Sequence, residues 1–85
     1  MHDKLKLLLE QLNINPENYT YFNDGNLRIN INTQTKIHTF TIEIEKPLPL
    51  NIYIDFEQKL LKRFKDYNIK LNINATEVNN EYIRN

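Results

Sequence analysis

The chain is 85 residues long, with 40% hydrophobic and 26% charged residues, a composition that builds one globular core of modest size and excludes disorder. Eleven basic and eleven acidic side chains cancel, so no net field draws the molecule to nucleic acid or to a membrane surface. The absence of cysteine removes disulfides and thiolate metal sites and agrees with a reducing, cytoplasmic location.

The opening MHDKLKLLLEQL is too short and too charged to span a bilayer, and it lacks the apolar run and cleavage site of a signal peptide. Leu5, Leu8, Leu9 and Leu12 recur at helical spacing and predict a helix over residues 3–13, capped by Asp3 and closed by Pro16. Leu7 points off this stripe; a lone exposed leucine is ordinary. Residues 14–26 read as a connection. Within it Asp24-Gly25-Asn26 predicts a turn, with Gly25 able to take a positive φ, and Tyr19, Tyr21 and Phe22 a satellite cluster over an edge of the core.

Leu27, Ile29 and Ile31 alternate with polar residues, and after a turn at Thr33–Lys36 so do Phe40, Ile42 and Ile44. This period of two predicts an antiparallel hairpin with one wet face. Lys46-Pro47-Leu48-Pro49 ends the second strand, because proline cannot donate to a ladder. On the helix that follows, Tyr53, Phe56, Leu60 and Phe64 form one ridge and Leu50, Ile54 and Leu61 a second. An apolar arc that wide predicts two buried contacts, with the sheet and with the first helix. Ile69, Leu71 and Ile73 mark a third strand, reached through the helix and therefore parallel to the second. It lies beside either strand of the hairpin; the crossover rule leaves both orders open. The expected fold is α+β in two layers, in the order α-β-β-α-β, a three-stranded mixed sheet with two helices on one face. Residues 1–78 form the single domain and 79–85 a linker.

Catalysis requires activated groups brought together, and the sequence offers none. His38 falls in phase with Phe40 and reads as a partly buried structural histidine, while His2 is terminal. Glu43 and Glu45 share the wet face of a strand, too few ligands for a cation site. Glycine-rich phosphate loops, HExxH and zinc spacings are missing. No catalytic, cofactor-binding or metal-binding residue is expected here, nor a small-molecule site. Lys59, Lys62 and Arg63 share the polar face of the second helix and are the candidate contacts for a partner or for nucleic acid, though Asp55 and Asp66 dilute their field. The wet face of the sheet carries no ring on which a base could stack, which argues against an RNA-recognition sheet.

The order of elements is similar to a truncated type II KH arrangement. With Gly25 the only glycine, the GXXG clamp of that fold is absent. The sequence more closely resembles the N-terminal domain of PolC-type DNA polymerase III, the replicative alpha subunit of low-GC Gram-positive bacteria and their wall-less relatives. The likeness runs through LKLLLEQLNI, GNLRINI, HTFTIEIEKPLPLNIYIDFEQKLLKRF and IKLNINAT. Phe40 stands where that family often has tryptophan.

What the resemblance implies is a noncatalytic leader of a larger enzyme. In that family the polymerase and the 3′–5′ exonuclease, with their metal-binding carboxylates (for magnesium), follow downstream, so the resemblance carries no catalytic residue into these 85 positions. It is also similar to the polymerase-binding domain of the clamp-loader tau subunit, which implies docking to replisome proteins. Weak single-stranded DNA binding is the competing expectation.

Overall fold

The computed structural model describes residues 3–76; the linker expected at 79–85 lies outside them. Helix α1 spans Asp3–Gln11, strand β1 Asn26–Asn32, strand β2 Ile37–Ile44, helix α2 Leu50–Arg63 and strand β3 Asn68–Ala75. A 3-10 helix at Pro16–Phe22 precedes β1, so three helical elements accompany the sheet. The rest of the expected α+β order holds. In the sheet β2 is central, antiparallel to β1 and parallel to β3, which settles the order that the sequence left open.

Asp3 lies in the first turn of α1, where a carboxylate complements the positive end of the helix dipole. The helix is closed at its other end by Asn13 rather than by the proline three residues on. Asn13 adopts φ 57°, its N–H donates to the Glu10 carbonyl, and the Ile14 N–H reaches the Leu9 carbonyl at 3.0 Å. This pair of bonds is a Schellman closure. Ile14 and Leu9 are both buried and supply the hydrophobic contact that accompanies it. Asn15 then starts the 3-10 helix, its side chain accepting the Glu17 N–H at 3.0 Å, with Pro16 at the first position.

The 3-10 helix changes the reading of residues 14–26. Phe22 is fully buried in the main core, 5.5 Å from the ring of Phe56, not part of a satellite cluster. Tyr19 packs half-buried against the core and Tyr21 is exposed. The positive φ in the following turn falls on Asp24, at 61°, and not on Gly25. Glycine is required at 25 for space: a Cβ there would lie 2.6 Å from both Leu5 Cδ2 and the Phe22 carbonyl oxygen.

The hairpin turn is organised by Asn32, whose side-chain oxygen accepts the N–H groups of Gln34 and Thr35. Its carbonyl accepts Lys36, which sits at φ 61°. Register aligns three apolar rows across the sheet: Leu27–Ile42–Ile73, Ile29–Phe40–Leu71 and Ile31–His38–Ile69. Burial fades from the first row to the third. Leu27 and Ile42 are buried, whereas Ile29 and Ile31 are exposed. The helices leave the far end of this face open. Nine helical residues give α1 about 13 Å of length, against about 23 Å for the seven residues of β1.

The two-ridge reading of α2 is also corrected. Phe56 and Leu60 are fully buried and Phe64 rests on Phe40 at 5.5 Å. Leu50, Ile54 and Leu61 are exposed, because α1 lies on the other flank of α2, where Lys59 Nζ meets the Asn13 carbonyl at 3.5 Å. Tyr53 donates its hydroxyl to Glu57 Oε2 at 3.4 Å. Burial first, and then the Glu57 charge, raise the phenol above its ordinary value near 10. A raised folded-state value stabilises below the ordinary one, and that contribution is lost as pH rises through the folded value. Absorbance titration should show a late phenolate component that is lost in Tyr53→Phe.

Candidate docking groove

The uncovered end of the sheet forms a groove. Its floor is Leu8, Leu27, Phe40 and Phe64, and Leu7, Ile29, His38 and Tyr67 form its walls, with Lys4 and Gln11 at the rim, around a volume of about 450 Å³. The aromatic side is a connected series. Phe40 meets Phe64, Phe64 meets Tyr67 edge-on at 6.4 Å, and Tyr67 meets His38 at 4.8 Å. Such tilted pairs hold one another in place beyond the area they bury. His38 is half-buried, as its phase predicts, but it is a wall of the groove rather than of the closed core.

The groove exists because four elements converge there without closing. α1 contributes Leu7 and Leu8, β1 Ile29, β2 His38 and Phe40, and the α2–β3 connection Tyr67. Leu7 is 60% exposed, Tyr67 55%, and Ile31 at the groove's open end 58%. Apolar groups left in water this close together mark an interaction site more often than singly scattered ones do. Leu7 was visible in the sequence as a residue off the helical stripe. Ile29 and Ile31 carried no such signal, since their alternation is that of a buried strand face, and Tyr67 stood in no pattern.

The candidate contacts read from the sequence divide. Lys59 forms an ion pair with Asp55 at 3.0 Å and reaches the Asn13 carbonyl; it ties α2 to the end of α1. The Arg63 guanidinium lies 5.4 Å from the Phe64 ring centroid, over the back of the groove floor. Lys62 is exposed on the surface. Lys62 and Arg63 in the last turn suit the helix dipole. Glu43 pairs with Arg28 at 3.6 Å, and the Glu45 carbonyl accepts the Thr76 hydroxyl. Among the described residues no three His, Cys, Asp or Glu side chains cluster, and no helix is long and apolar enough to cross a membrane.

A family model described as DNA polymerase III polC-type N-terminus I matches residues 4–80, from α1 through β3. The chain belongs to this family. No curated protein and no solved structure matches it. The polC-type N-terminus is thus a DNA-replication domain whose patterned residues, Phe40, Ile42, Phe56 and Leu60, serve its core. In this polC-type domain the groove is the place where the core's own aromatic residues reach the surface.

Proposed function

We propose that this polC-type N-terminal domain is a noncatalytic docking module that seats a segment of another replisome protein in its aromatic groove. The observation that carries the reading is the unclosed end of the core, where Leu7, Ile29 and Tyr67 stand exposed and His38 half-buried beside the rings of Phe40 and Phe64. An amphipathic segment with two or three apolar side chains on one face suits such a groove, with Lys4 at the rim to meet an acidic flank. The clamp-loader tau subunit is the first candidate, from the resemblance between its polymerase-binding domain and this one. The parent protein, on the resemblance to PolC-type polymerases, is a cytoplasmic, magnesium-dependent DNA polymerase with 3′–5′ exonuclease activity.

NMR shift mapping with purified replisome proteins tests the proposal. The expected result is a set of perturbed amides centred on Leu7, Leu8, Ile29, His38 and Tyr67. Shifts confined to Lys62, Arg63 and Lys65, produced by single-stranded DNA and removed by salt, would instead favour a nucleic-acid module. No perturbation by any replisome protein would count against docking.

A further inference from the structure

A second unpartnered surface lies at the opposite edge of the sheet. Leu50, Ile54, Glu57 and Leu61 follow one another at steps of four, three and four along α2, the spacing of a helix–helix seam. The three apolar members are 73%, 42% and 45% exposed, and the Glu57 carboxylate is turned toward Tyr53. Beneath this stripe β3 is an edge strand, with no neighbour on its outer side among the described residues. Ile69, Leu71 and Ile73 of β3 are only half-buried.

We infer that this face pairs with a second copy of the chain, β3 against β3 and α2 against α2, about one two-fold axis perpendicular to the sheet. Three features of the surface are self-complementary. The first is height. The midpoint of the α2 stripe is about 11 Å from the helix end at 1.5 Å per residue, and the midpoint of β3 about 12 Å from its start at 3.3 Å per residue. α2 and β3 run in opposite directions, as their joint cleft of Leu50, Tyr53 and Ile73 shows, so one axis passes through both midpoints.

The second feature is spacing. α2 straddles β2, through Phe64 on Phe40, and β3, through Tyr53 beside Ile73. With strands about 4.8 Å apart, a dyad at the free edge sets the two α2 axes about 10 Å apart, within the range of packed helices. The third is charge. Lys70 is the one charged residue of β3. With the axis at Leu71 or at Asn72 it faces an asparagine of the other copy, so like charges are not opposed. Either axis keeps every apolar side chain on the helix side, as a buried face requires.

Leu50, Ile54 and Leu61 alone expose roughly 300 Å² per copy, and the strand edge and flanking stems bring the total toward about 1,200 Å², the lower limit for a specific dimer. A micromolar dissociation constant is expected. Sedimentation of the 85-residue chain from micromolar to millimolar concentration should show the mass rising from 10.3 kDa toward twice that value. Ile54→Glu, at an exposed position, should weaken the dimer at least tenfold while leaving the far-ultraviolet spectrum unchanged. Leu7→Glu, in the groove, should leave the dimer intact, which separates this interface from the docking proposal. Because the chain lacks cysteine, a spin label at Asn72→Cys should find its counterpart at short range, whereas labels at Asn30→Cys should stand five strand spacings apart, about 24 Å. A monomer at every concentration, or a dimer indifferent to Ile54→Glu, would overturn the inference. So would a monomer whose β3 amides shift when the tau subunit is added, because the edge would then receive a strand from that partner.

Discussion

Phe22→Ala is expected to destabilise the chain by about 3–5 kcal/mol, the range for deleting a buried aromatic side chain. For a domain of this size that is a large part of the total stability. Phe22 is fully buried although it ends a 3-10 helix inside an Asn-rich connection. Its ring fills the space against Phe56, with α1 leucines in the same cluster. Removing it leaves a cavity that three elements must collapse around. Chemical denaturation followed by circular dichroism measures the loss. Tyr21→Ala, at the exposed neighbour, should cost less than about 0.5 kcal/mol. Equal costs at the two positions would mean that residues 16–22 do not enter the core.

Gly25→Ala is the second large effect, a loss of about 2 kcal/mol. Overpacking of a tight core costs about 1–3 kcal/mol, partly offset by the lower chain entropy of alanine when unfolded. The added methyl would meet Leu5 Cδ2 and the Phe22 carbonyl oxygen at 2.6 Å, and Ile44 Cγ2 at 3.2 Å. Leu5 is fully buried and cannot swing away. The carbonyl is held as well, since it accepts the Gly25 N–H at 2.8 Å. A melting temperature about 8–16 °C lower is expected. The distinction from a conformational role is testable at Asp24, which carries the positive φ: Asp24→Gly should be neutral or mildly stabilising, since glycine adopts that region without strain. An unchanged melting temperature for Gly25→Ala would contradict the packing argument.

Much of this fold was legible in the sequence because it depends on local period. The leucines of α1, the alternation of β1, β2 and β3, and the prolines before α2 each act within a few residues. The features that were not legible depend on length and on placement across the chain. Period two made Ile29 and Ile31 look buried, but a nine-residue helix cannot cover a seven-residue strand, and that mismatch opens the groove. The arc of α2 was read correctly as wide. Its second ridge was given to α1, whereas α1 lies on the flank of Lys59 and leaves Leu50, Ile54 and Leu61 in water. The 3-10 helix escaped notice because Asn15, Pro16 and Asn18 are also what a loop would contain. The local partners of the basic side chains were likewise not legible. Lys59, Lys62 and Arg63 share a face by number, yet one is bound to Asp55 and another lies over a ring.

Titration calorimetry of the chain with the purified clamp-loader tau subunit tests the docking account most directly. The double variant Leu7→Glu/Ile29→Lys changes two exposed side chains of the groove, so its folding should be preserved. The variant Lys62→Glu/Arg63→Glu changes the basic turn of α2 instead. The account predicts binding by the unaltered chain, a loss of at least thirtyfold in the groove variant, equivalent to about 2 kcal/mol, and little change in the α2 variant. Full binding by the groove variant together with loss in the α2 variant would contradict it.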